Sequence, residues 1–146
     1  MTDRILIAED EVDLLHGLGR TIAMEIDCDI ELVQNGKDAL AIIQRQPVDL
    51  LLTDIRMPDM DGMELLERIK SKDPDLPVIM MTAVSAWRRT ISRSTSISGP
   101  MILISTGAAE IVLFLLALRR SGEKAGRAAP SVSGSRWVFS EASSRR

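Results

Sequence analysis

The chain of 146 residues contains no tyrosine, one cysteine and one histidine, and aromatic residues make up only 3% of it. A single cysteine, Cys28, cannot form an internal disulfide framework, which fits a reducing cytoplasm. Cys28 reads as a small half-buried residue near a strand. His16 falls among apolar positions of a helical stretch and reads as a partly exposed helical residue, not a catalytic base. No Gly-x-x-x-x-Gly-Lys-Ser/Thr loop and no Gly-x-Gly-x-x-Gly occurs, which disfavours a nucleotide-binding fold. The start carries no secretory signal pattern: Asp3 and Arg4 lead directly into a short apolar run.

Aspartate is missing from the whole of the chain after Asp75. Residues 1–85 hold 18 acidic and 8 basic side chains, whereas residues 86–146 hold 3 acidic and 10 basic ones. Of the 14 serines, 12 lie beyond residue 85. One continuous fold rarely changes composition so abruptly, so a boundary is expected near residue 85. It separates a domain at 1–85 from a basic tail at 86–146.

The first part alternates in period. Ile5-Leu6-Ile7-Ala8, Ile30-Glu31-Leu32-Val33, Leu50-Leu51-Leu52-Thr53 and Val78-Ile79-Met80-Met81 are short apolar runs suited to strands covered on both faces. Between them, Val12, Leu15, Leu18, Ile22 and Ile26 mark one helix face, Ala39, Leu40 and Ile43 a second, and Met63, Leu66 and Ile69 a third. Asn35-Gly36 signals a turn, Pro47 closes the second helix, and Asp61-Gly62 precedes the third. Strand and helix in alternation predict an α/β fold with an open parallel sheet, its crossovers right-handed. The repeats run through the fourth strand, and an atypical C-terminal segment follows.

Ligands of such sheets collect beyond the carboxyl ends of the strands. Glu9 and Asp10 end the first strand there, Asp54 the third, and Thr82 the fourth. Any one acidic residue at a strand end reads more readily as a solvated loop residue. Three on one edge repel one another, and a hard cation such as Mg2+ would neutralise them. A carboxylate can accept a phosphoryl group as an acyl phosphate, and a hydroxyl such as that of Thr82 could bond one phosphoryl oxygen.

The residues Arg4-Ile-Leu-Ile-Ala-Glu-Asp-Glu11 resemble the opening of receiver domains from two-component signalling. Asp49-Leu-Leu-Leu-Thr-Asp54-Ile-Arg-Met-Pro58-Asp-Met-Asp-Gly62 resembles their phosphoacceptor segment, and Pro77 to Ala83 their fourth strand with its switch hydroxyl. The resemblance covers about residues 3–85 and implies a flavodoxin-like sheet. It implies that Asp54 is the phosphoacceptor and Thr82 the switch hydroxyl. Mg2+ would bind to Glu9, Asp10, Asp54 and the backbone carbonyl of Arg56, with Pro58 and Gly62 shaping the adjoining loop. The implied donor is a histidine kinase or a histidine phosphotransfer protein. Such a protein is a phosphoacceptor with self-catalysed transfer at most, not an enzyme acting on a separate substrate. A related phosphatase would want an aspartate where Arg56 stands.

The family continues with a fourth helix, a fifth strand, a lysine followed by proline, and a fifth helix. No lysine stands between Lys72 and Lys124 here, and neither Trp87 nor Phe114 is placed as the family's switch aromatic. Phosphorylation is therefore expected to be impaired. The alternative is a receiver-like interaction module that is not phosphorylated. Read one base out of frame, the codons of residues 87–97 permit a sequence resembling the fifth strand and its lysine, so the tail reads as a frameshifted continuation. Taken in its own frame, Met101–Leu118 has one charge, Glu110, and is marginally long enough for a membrane span. Arg119, Arg120, Lys124 and Arg127 would then have to cross, so a span is disfavoured, and an apolar helix packed on the sheet edge, or an aggregation-prone segment, is the plainer reading. Residues 121–146, rich in Ser, Gly, Ala and Arg, read as disordered, and nothing in them predicts specific binding to nucleic acid. The expected location is the cytoplasm.

Overall fold

A computed structural model of the chain describes residues 2–81, 101–104 and 138–139. Strands and helices alternate as β1 (Asp3–Ala8), α1 (Val12–Glu25), β2 (Cys28–Val33), α2 (Gly36–Arg45), β3 (Leu50–Asp54), α3 (Gly62–Lys72) and β4 (Val78–Met81). Two further strands follow, β5 (Met101–Ile104) and β6 (Val138–Phe139). The sheet order is β2-β1-β3-β4-β5-β6, with β1 to β5 all parallel and β6 antiparallel to β5. This is the open parallel sheet that the alternating periods predict.

Period two within each strand divides the core. Leu6, Ala8, Leu51, Val78 and Met80 face one side and pack with Ala39 of α2 and Leu65, Leu66 and Ile69 of α3. Ile5, Ile7, Leu50, Leu52, Ile79 and Met81 face the other side, where α1 supplies Leu15, Leu18 and Ile22. Both faces are dry, which is why the strand sequences are continuous apolar runs and not alternating ones. The helix ends obey local chemistry. The side chain of Asn35 accepts the Asp38 N–H at 2.8 Å and caps α2, and Asp61 accepts the Glu64 N–H at 2.8 Å and caps α3.

The structure departs from the sequence reading at the tail. Met101–Ile104 pairs along the whole of β4, Val78 with Met101 through Met81 with Ile104. The apolar helix expected over 101–118 is thus corrected at its start, where four residues form a strand. A strand edge offers β4's unpaired main-chain groups a partner, which no helix could do. No helix among the described residues is long and apolar enough to cross a membrane. Val138–Phe139 likewise departs from the expected disorder of 121–146: a β-branched and an aromatic residue pair with the outer edge of β5. The expected boundary near residue 85, and Thr82, Trp87 and Phe114, lie outside the described residues.

Candidate functional site

Strand register brings the acidic residues together. Ala8 is level with Thr53, and Thr53 with Met80, so the chain leaves β1, β3 and β4 at a common edge. Glu9, Asp10 and Asp54 sit on that edge, and one carboxylate oxygen from each lies within 4.8 Å of the others. The sequence reading named these three residues, and the structure places them in one cluster. Their surroundings differ. Glu9 is only 3% exposed, Asp54 is half-buried, and Asp10 is exposed.

Main-chain donors fix two of the carboxylates. Glu9 Oε1 accepts the Glu11 N–H at 3.1 Å, and the Glu9 N–H itself donates to the Val33 carbonyl at 3.1 Å. Asp54 Oδ1 accepts the Ile55 N–H at 2.7 Å. Burial pushes the Glu9 carboxyl up to about 7, reinforced by the charge of Asp54 and by the neighbouring Asp10, against the Glu11 N–H bond that lowers it. Burial raises Asp54 too, as does Asp10, while the N–H groups of Ile55 and Arg56 and the Arg56 charge pull it back down. Glu9 and Asp54 therefore resist ionisation unless a cation joins the cluster. Its all-oxygen donor set suits a hard divalent ion. Arg56, whose carbonyl the resemblance adds to the set, is exposed beside Asp54.

The loop after Asp54 is built to stay in place. Ile55, Met57 and Met60 are buried and anchor it. Asp59 has a φ of 66°, and across it the Met60 N–H donates to the Pro58 carbonyl at 2.7 Å, a γ-turn that reverses the chain. The Gly62 N–H returns to the Ile55 carbonyl at 2.9 Å, and a Cβ on Gly62 would lie 2.2 Å from the Asp54 carbonyl oxygen. Only glycine permits that approach. Gly36 does the same for the loop's other end, where a Cβ would lie 2.7 Å from the Met60 carbonyl. Asn35-Gly36, read from sequence as a turn, is thus a helix cap followed by a close contact with this loop.

Sequence reasoning passed over Thr53. Its side chain is fully buried, and its hydroxyl donates to the Asp54 carbonyl at 3.0 Å, with Met57 Sδ at 4.0 Å. A polar residue closing the run Leu50-Leu51-Leu52 was the available signal, because a buried hydroxyl needs a partner.

An open parallel sheet carrying a carboxylate cluster beyond its strand ends places the chain among flavodoxin-like α/β proteins of the CheY-like kind. Residues 5–110 match the response regulator receiver domain family, and the chain belongs to it. The match runs through β5. CpdR, the response regulator receiver protein of Brucella abortus, is 40% identical over 83 residues, covering 57% of this chain and 68% of that protein. The regulatory protein LuxO of Vibrio cholerae is 46% identical over 66 residues, covering 45% of this chain but only 14% of LuxO. The chain therefore spans a small part of the length of the LuxO proteins it matches. Among solved structures, a CheY-like receiver domain protein from Methanospirillum hungatei superimposes with a TM-score of 0.70 at 25% identity, over 86% of this chain and 100% of that one. The response regulator TrrA of Thermotoga maritima, solved in complex with Mg2+ and BeF, gives a TM-score of 0.58 at 29% identity, over 68% of this chain and 85% of that one.

Proposed function

We propose that this receiver domain accepts a phosphoryl group on Asp54, from a phosphohistidine of a histidine kinase or a histidine phosphotransfer protein. The observation that carries the reading is the convergence of Glu9, Asp10 and Asp54 within 4.8 Å at the carboxyl edge of the sheet. A phosphorus–nitrogen bond on the donor breaks as a phosphorus–oxygen bond to Asp54 forms, and the histidine keeps the electron pair. Glu9, Asp10 and Asp54 would hold Mg2+, with the Arg56 carbonyl as a further ligand. The ion, when bound, offsets the negative charge on the transferring oxygens. TrrA, solved with Mg2+ and BeF, supports that assignment by likeness.

The chain's own residues supply orientation. The N–H groups of Ile55, on Asp54 Oδ1, and of Arg56 hold the Asp54 carboxylate, and the 55–62 loop keeps the acceptor from swinging away. Thr82, the first residue after β4, would bond a phosphoryl oxygen after transfer. The protein works as a phosphoacceptor in the cytoplasm and has no separate substrate to turn over.

The absence of lysine between Lys72 and Lys124 favours a slow acceptor, and in the limit a module that binds its partner without being phosphorylated. Incubation with acetyl phosphate and Mg2+ separates these readings. Phosphoprotein that forms on the wild type and not on Asp54→Asn supports the acceptor. A folded wild type that takes no label from acetyl phosphate or from a histidine kinase would leave only the interaction module.

A further inference from the structure

The peptide group joining Asp54 to Ile55 is gripped at both ends. Its N–H donates to Asp54 Oδ1 at 2.7 Å and to the Met81 carbonyl of β4 at 3.1 Å. Its carbonyl accepts the Thr53 hydroxyl at 3.0 Å and lies against Gly62, where no Cβ could fit. One planar unit thus aims the donor that holds the Asp54 carboxylate. The orientation of that plane sets how the Asp54 carboxylate is turned beside Glu9 and Asp10, with which it clusters. Gly62 sets only how near the carbonyl may come. The Thr53 hydroxyl sets its direction, since a hydrogen bond prefers to lie near the plane of the carbonyl it reaches. Thr53 is fully buried, so water cannot take over that bond.

We infer that Thr53 is a positioning residue for the acceptor carboxylate, acting through the Asp54–Ile55 peptide group to keep Asp54 Oδ1 bonded and the carboxylate turned as it stands in its cluster with Glu9 and Asp10. The inference rests on the acceptor reading for its effect on rate, but its structural part stands without it. Thr53→Val removes the hydroxyl and keeps the shape, and Thr53→Ser keeps the hydroxyl.

The test uses the full chain and two readouts. In metal-free protein, the Ile55 amide proton is expected far downfield because it is bonded to a carboxylate. It should move upfield in Thr53→Val and stay in Thr53→Ser. With acetyl phosphate and Mg2+, Thr53→Val should be phosphorylated about fivefold more slowly, the size of one ordinary hydrogen bond, and Thr53→Ser at close to the wild-type rate. If Thr53→Val does not fold, Thr53→Ala serves as the second hydroxyl-free variant. An Ile55 amide that stays where it is in a folded hydroxyl-free variant overturns the inference. So does an equal loss of rate in Thr53→Ser, which would make the position one of packing alone. A wild type that takes no label while its Ile55 amide responds to Thr53→Val removes the acceptor reading and leaves the positioning intact.

Discussion

Glu9 shows at the scale of a single side chain how the site is tuned. It is 3% exposed, lies beside Asp54 and Asp10, and its carboxyl is pushed up to about 7 by burial first and by those neighbours next. A carboxyl whose folded pKa exceeds its ordinary 4.5 favours the folded state while both states hold the proton. That advantage is lost as pH rises from about 4.5 through about 7, because the folded state must then ionise a group it holds in a dry, negative place. Metal-free protein should therefore lose stability across that window. Glu9→Gln, neutral at every pH, should flatten the decline and raise stability at pH 8 by on the order of 2 kcal/mol, read from urea unfolding midpoints. Mg2+ should reverse the ranking, stabilising the wild type more than the variant at pH 8 and much less at pH 6, where protons compete for Glu9. Unfolding midpoints of the two proteins that run parallel from pH 5 to 8 without metal would contradict this account.

Within the elements, two glycines make opposite predictions from the same substitution. A Cβ on Gly17, in the exposed part of α1, would meet nothing within 4 Å. Gly17→Ala should stabilise the fold by about 0.5–1 kcal/mol, since alanine gives up less backbone freedom in a helix. A Cβ on Gly62, at the start of α3, would meet the Asp54 carbonyl at 2.2 Å, and backbone cannot step aside as a side chain can. Gly62→Ala should cost about 3 kcal/mol and displace Asp54 as well. Thermal melts measure both. These elements were largely legible in the sequence, because the dry strands print as unbroken apolar runs and α1 and α3 as three- and four-residue steps. Glu9 and Asp54 were legible for the same reason, each following directly on such a run, and Asp10 stands next to Glu9. Lys70 was not: it is four residues after Leu66 on the apolar stripe, yet it is 6% exposed and donates to the Pro74 and Leu76 carbonyls. Those bonds close the turn between α3 and β4, and a lysine's reach into a turn leaves no trace in periodicity. Met101–Ile104 was missed because it opens a longer apolar stretch that reads equally as helix. Gly99-Pro100 before it marks the same kind of strand start as Pro77 before Val78.

At the scale of the whole sheet, β5 decides whether β4 is an interior strand or an edge. Val78-Ile79-Met80-Met81 carries no charge and no proline, so left as an edge it would be a template for association with other chains. The register shows which of its amides depend on β5. Leu51 donates to the Pro77 carbonyl and Ile55 to the Met81 carbonyl, so Pro77, Ile79 and Met81 turn their main-chain groups toward β3. Alternation then turns those of Val78 and Met80 toward β5. In the intact chain, amide hydrogen exchange should therefore be slow at all four positions. In a chain ending at residue 100, Val78 and Met80 should exchange quickly while Ile79 and Met81 stay protected by β3, and light scattering should rise with concentration as the bare edge finds partners. If Val78 and Met80 exchange quickly in the intact chain already, Met101–Ile104 does not pair with β4 in solution. The composition break near residue 85 would then be the end of the sheet as well. Slow exchange there would mean that a basic, serine-rich tail supplies the strand that keeps an acidic receiver closed.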